Sequence, residues 1–190
     1  MSELPDRERD CVGEKMPIAS GTWKPIRAGV LSGIVATAFM SAIMLMAKRL
    51  GLMGEMPPEK ITASLLDRAG WRSRGRRTQD ALSAVSHLGF GAAAGVLFAA
   101  VERRPQPPLP AVPAGILFGA AVWFVSYQGW VPALGIMPPP SRDRPGRPPA
   151  MLAAHLVYGA VLGALISWSS EPRERNSSRA DMDPHSSVHI

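Results

Sequence analysis

Two histidines are the residues of this 190-residue sequence best placed for chemistry, because each lies in a long apolar segment. An imidazole there can ligate a haem or a metal, carry a proton, or simply hydrogen-bond within the packing. His87 and His155 each lie about six residues into a predicted helix, within reach of Ser83, a backbone carbonyl or interfacial water. We therefore expect a structural role for both and treat them as weak cofactor-binding candidates.

Other constellations that would support catalysis are missing from the sequence. Ser41 and Ser126 lie in apolar stretches with no acid or histidine at motif spacing, and no glycine-rich phosphate loop precedes a basic residue. Cys11 is the single cysteine, which excludes a disulfide framework and a cysteine-rich zinc site. The sequence predicts a non-enzyme with no catalytic residue, no metal and no cofactor.

The elements that carry these residues follow from the distribution of charge. Four stretches contain no Asp, Glu, Lys or Arg, and each is long enough to span a bilayer as a helix: 28–47, 81–101, 105–141 and 148–170. Prolines at both ends confine the third helix to about 112–130. We predict an all-α membrane protein with a transmembrane domain over 26–170 and four helices at about 26–48, 81–101, 112–130 and 150–169.

Both ends of the chain are polar. Residues 1–25 lack an apolar region followed by a cleavage site, so we expect a polar N-terminal tail and no signal peptide. Residues 171–190 are rich in Ser, Arg and Asp, and we expect a disordered C-terminal tail. Basic residues are almost equally divided between the two sides, and the acid-balanced tails favour cytoplasmic odd-numbered loops.

The helices contain an internal repeat. Residues 87–97 match 155–165, residues 28–33 match 114–119, and Leu-Gly-Leu-Met at 50–53 matches Leu-Gly-Ile-Met at 134–137. The repeated unit is a two-helix hairpin, so the second copy re-enters the membrane in the same direction. We expect two parallel repeats related by an axis along the membrane normal.

Every predicted helix also carries a GxxxG pair of glycines, which lie on one helix face and allow backbones to approach closely. This pattern predicts helix packing, either within one chain or in a homo-oligomer. The eight glycines are Gly29, Gly33, Gly91, Gly95, Gly115, Gly119, Gly159 and Gly163.

The first loop contains a predicted amphipathic helix at about 58–69, with an apolar stripe of Ile61, Leu65 and Ala69. Trp71 and an arginine cluster follow. Such a segment is typical of the bilayer interface, and we expect the arginines to bind anionic headgroups; a solvated connector is the alternative. Trp71 is the one aromatic neighbour, so we expect no nucleic-acid partner. The cluster consists of Arg72, Arg74, Arg76 and Arg77.

Aromatic residues end the third and fourth helices, where Tyr127, Trp130 and Trp168 are typical of an interfacial belt. We expect Gln128 to hydrogen-bond between helices.

The whole pattern resembles the uncharacterised four-helix integral membrane proteins of bacteria that are classified as domains of unknown function. The resemblance rests on the Ala-Gly-aliphatic-Leu helix starts, the Pro57-Pro58 loop and the run His155 to Gly159, and it covers about 23–168. It implies a bacterial inner membrane location. We expect a scaffold or partner-binding bundle that contacts a second copy or another membrane protein. The alternatives are a small transporter or channel subunit, and a haem- or metal-binding protein that uses His87 and His155.

Overall fold

The computed structural model describes residues 23–71, 75–103 and 109–170, and all regular structure in these ranges is helical. Residues 1–22 of the predicted N-terminal tail, the predicted C-terminal tail, and Arg72 and Arg74 of the arginine cluster lie outside the described residues, whereas residues 23–25 belong to the first helix. The helices are α1 (Trp23–Arg49), α2 (Pro57–Arg68), α3 (Arg76–Glu102), α4 (Ala111–Trp123), a π-helix (Phe124–Trp130), α5 (Val131–Ala133), a 3-10 turn (Pro140–Arg142) and α6 (Arg147–Ser170).

Four helical segments are long and apolar enough to cross a membrane, which indicates a multi-pass membrane protein: Trp23–Arg49, Arg76–Glu102, Ala111–Ala133 and Arg147–Ser169. Some helices begin earlier than predicted, because a charged first turn outside the hydrocarbon does not interrupt a helix. α3 starts at Arg76, and His87 therefore lies about three turns into it. His155 lies about two turns into α6. Both histidines therefore lie further from the starts of their helices than predicted, because the added residues precede them.

The bundle consists of two antiparallel helix pairs joined through their inner members. α1 packs on α3, α4 packs on α6, and α1 packs on α6 between them. α3 and α4 flank this inner pair on the outside and scarcely touch each other. They meet at Phe98 and Phe118, whose ring centroids are 5.3 Å apart. That contact lies in the half of the bundle away from α2.

Glycines mark the closest approach in both helix pairs. A Cβ at Gly33 would collide with the carbonyl of Gly91, and a Cβ at Gly95 would collide with that of Gly29. The second pair is equally close, with Gly115 against the carbonyl of Gly159 and Gly163 against that of Ala111. Any larger residue at these positions would separate the helices, so the absence of a side chain makes this packing geometry accessible.

The two hairpins differ in register. In the first, Gly33 lies opposite Gly91; a strict repeat would place Gly119 opposite Gly159. Instead, Gly119 lies against the carbonyl of His155, and Gly159 lies against Gly115. The second pair is thus displaced by four residues, or about one helical turn, relative to the first.

The ends of the odd-numbered spans have the same backbone structure. Gly51 and Gly135 adopt φ values of 74° and 66°. In each case the residue after the glycine donates its N–H five residues back, from Leu52 to Ala47 and from Ile136 to Val131. This is the hydrogen-bond pattern of a Schellman C-cap, for which glycine is favoured because it accepts positive φ. The repeated Leu-Gly-aliphatic-Met sequence therefore encodes a shared helix terminus.

The third span changes to a π-helix over its last two turns. Val131 donates its N–H to the carbonyl of Ser126, five residues earlier. Pro132 follows directly, and because it has no N–H it removes the α-helical partner of the Gln128 carbonyl. The wider turns of a π-helix accommodate the missing N–H of Pro132, and such π segments occur often at functional sites. We predicted a regular helix here; Pro132 was the available signal.

Candidate functional site

A cavity of about 230 Å³ lies between α3 and the third span, in the half of the bundle nearer to α2. It exists because these two helices meet at Phe98 and Phe118 and are separated in the other half, with the inner pair α1 and α6 as its floor. Met40 and Met44 line it from α1, and Met137 and Met151 line it from the other hairpin. Most of its surface is apolar, so it suits a lipophilic molecule.

Part of the cavity rim faces the outside of the bundle. Leu65 is 49% exposed and Phe90 is 51% exposed, and both line the cavity. In a bilayer these side chains would contact lipid. The cavity therefore opens on the outer surface of the bundle and is not sealed within the core.

Both histidines line this one cavity, His87 from α3 and His155 from α6. His155 is buried, and its Nδ1 is 2.8 Å from the carbonyl oxygen of Met151 in its own helix. The sequence predicted such a carbonyl partner as one option. His87 is different: its Nε2 is buried and has no hydrogen-bond partner among the described residues. The fold therefore brings together two imidazoles that are 68 positions apart in the sequence.

Several hydroxyl groups of the lining donate to other oxygens. Thr37 Oγ1 donates to the Gly33 carbonyl at 2.7 Å, and Ser126 Oγ donates to the Val122 carbonyl at 2.6 Å. Tyr158 Oη reaches across to α3 and donates to the carbonyl of Gly91 at 2.8 Å. This last bond joins the two hairpins directly beside the cavity.

The helix α2 covers the end of the cavity. Pro58, Ile61 and Leu65 lie on its wall, and the guanidinium of Arg68 donates to the carbonyl of Leu134 beyond the third span. We predicted that Ile61, Leu65 and Ala69 form the apolar stripe of an interfacial helix. Ile61 and Leu65 line the cavity, because α3 packs beside α2, and Ala69 is exposed.

A buried ion pair lies at the same end of the bundle. Arg147 Nη1 is 2.9 Å and 3.2 Å from the two carboxylate oxygens of Asp143, and the side chains are 5% and 3% exposed. Tyr127 Oη donates to Asp143 Oδ2 at 2.6 Å, and the Arg144 amide donates to Oδ1. Burial acts to raise the pKa of Asp143, but these hydrogen bonds outweigh it and hold the pKa below its usual range.

Sequence reasoning missed this cluster. We expected Tyr127 in an interfacial belt, and it is instead 2% exposed. The available signal for the ion pair was the Asp-x-x-x-Arg spacing that ends at the first residue of α6, and this spacing is common on helix surfaces. Because Tyr127 both lines the cavity and binds Asp143, the cluster supports one wall of the cavity.

The remaining predicted residues lie away from the cavity. Arg76 and Arg77 are exposed in the first turn of α3. Gln128 is exposed, contrary to the expected role between helices, because the π-helix turns Tyr127 inward. Within the described ranges, no group of three or more His, Cys, Asp or Glu side chains is arranged to hold a metal ion.

Comparison with known proteins gives one result. No curated protein and no solved structure matches the sequence. One family does match, over residues 23–177, which include all the described helices. The chain belongs to this family of unknown function, DUF6789.

Proposed function

We propose that this protein is a non-enzymatic component of the bacterial inner membrane that binds a small lipophilic partner in the cavity between α3 and the third span. The observation that carries the proposal is the cavity itself, about 230 Å³ between two helices held apart at the α2 end. In this proposal α2 lies at headgroup level, and Arg76 and Arg77 bind anionic lipid.

The size of the cavity favours an occupant. A dry engineered cavity of about 150 Å³ already binds benzene. The cavity described above has about 230 Å³ and is open at its rim, so a ligand of ten or so heavy atoms can enter it.

Photolabelling tests the proposal. The probe is an aryl-diazirine analogue of butylbenzene, applied to the protein in lipid nanodiscs, with adducts located by mass spectrometry. We expect saturable adducts on cavity residues such as Met44 and Phe90, and we expect excess butylbenzene to abolish them. Ala94→Phe should fill the cavity and reduce these adducts at least tenfold.

Ala93→Phe is the matched control, because Ala93 is exposed on the same helix and lies outside the cavity lining. It should leave the saturable adducts unchanged. Labelling spread over lipid-facing residues, with no saturable component in the cavity, would contradict the proposal.

Transport is the second candidate function, because the cavity lies between the two hairpins, and transporters commonly bind substrate at the interface of repeats. Four glycine-packed helices leave little room for a pore within one chain. A transporter or channel would therefore need association of several copies. Cross-linking in native membranes separates that case from a monomeric binding protein.

A further inference from the structure

We infer that the cavity ligand is an uncharged lipophile with a hydroxyl group, an alcohol or a phenol, that donates a hydrogen bond to Nε2 of His155. This inference rests on the proposed function and adds the chemical class of the ligand.

The hydrogen bond at His155 determines which ring nitrogen accepts. A carbonyl oxygen can only accept, so the 2.8 Å contact with Met151 requires the proton on Nδ1. A neutral imidazole with its proton on Nδ1 has an unprotonated Nε2, which is a hydrogen-bond acceptor. Nδ1 is directed to the backbone of α6, which leaves Nε2 as the ring nitrogen through which His155 can bind a ligand in the cavity that it lines.

Four hydroxyl groups of the lining already have acceptors. The hydroxyl protons of Thr37, Ser126 and Tyr158 go to backbone carbonyls, and that of Tyr127 goes to Asp143. The other hydroxyls of the lining belong to Thr62, Ser83 and Ser86 on α2 and α3. His155 Nε2 thus offers an acceptor in a mostly apolar cavity, and a ligand hydroxyl can donate to it.

The ligand classes differ in how well they meet this requirement. A hydrocarbon leaves Nε2 unpaired, and an ether or a ketone offers only acceptors, which oppose the ring lone pair. A carboxylate would bring an unpaired charge into the apolar cavity. An alcohol or a phenol donates its proton to Nε2 and places its hydrocarbon part against the methionines.

Competition between matched ligands tests the inference. 4-Butylphenol, 4-butylanisole and butylbenzene each compete with the diazirine probe in nanodiscs. The measured ratio is the concentration of the anisole that halves labelling divided by the concentration of the phenol that does so. Partition into the bilayer is the same for every variant, so it cancels when ratios are compared. We expect the ratio in the native protein to exceed that in His155→Phe by about tenfold, or 1.4 kcal/mol.

Two further variants keep the result interpretable. His155→Gln restores an acceptor oxygen and should recover part of the phenol preference, and Ala93→Phe should retain all of it. Equal ratios in the native protein, His155→Phe and His155→Gln would overturn the inference while leaving the cavity as a binding site. Failure of all three compounds to compete would instead overturn the proposed function.

Discussion

At the scale of single residues, Asp143 and Arg147 form an ion pair in which both side chains are almost fully buried. Removing one charge leaves the other buried without its partner, which costs about 3–5 kcal/mol. We expect Asp143→Asn to lower the thermal unfolding midpoint markedly in detergent. Glu55→Gln is the control: Glu55 pairs with Lys60 at 3.3 Å but is 73% exposed, and exposed pairs contribute about 1 kcal/mol or less.

The same pair should make stability depend on acid in a defined direction. The folded-state pKa of Asp143 is lowered, whereas the unfolded carboxyl titrates near about 3.9. The contribution of the ion pair is therefore complete above that value and is lost as pH falls through the lower folded-state pKa. The difference in unfolding midpoint between native protein and Asp143→Asn should be constant from pH 8 to 5 and shrink below about 4. A difference that persists unchanged at pH 2 would contradict this account.

At the scale of helices, glycine packing makes a prediction that separates two neighbouring positions on α3. A Cβ at Gly91 would collide with Thr37 Oγ1 on α1, whereas a Cβ at Gly89 would meet nothing within 4 Å. Gly91→Ala should push α1 and α3 apart and cost about 1–3 kcal/mol in unfolding free energy. Gly89→Ala should leave stability equal or raise it by up to about 1 kcal/mol, because alanine is the better helix former. Similar loss in both variants would mean that helix propensity, and not close approach, explains the glycines.

At the scale of the whole molecule, four spans place both chain ends on one side of the membrane. Cys11 is the single cysteine of the sequence, so a membrane-impermeant maleimide reports the location of the N-terminal tail directly. In a Cys11→Ser background, Ser178→Cys should be labelled from the same side as Cys11, and Ser141→Cys from the opposite side. With odd-numbered loops in the cytoplasm, intact cells should label Cys11. Opposite locations for Cys11 and Ser178 would rule out an even number of spans.

Charge and helix-end signals determined the architecture from sequence alone, because they act locally. A charged residue cannot be buried cheaply in hydrocarbon, so the charge-free stretches predicted the apolar segments that the structure shows as long helices. The helix ends at Gly51 and Gly135 are also locally encoded, because glycine itself accepts the positive φ found there. The glycine pairs likewise indicated which helix faces allow close contact, although not which helix would pack there.

The cavity and its polar groups required the tertiary structure. Whether α3 and the third span touch depends on which helices form the inner pair, and a one-turn change of register alters no feature of the sequence pattern. Asp143 reaches Tyr127 only because the loop before α6 folds back against the π-helix. His87 and His155 share one cavity because α1 and α6, and not α3 and α4, pack at the centre. Packing between apolar helices is nondirectional and depends on shape, so the sequence supplied the surfaces and the three-dimensional fit decided their neighbours.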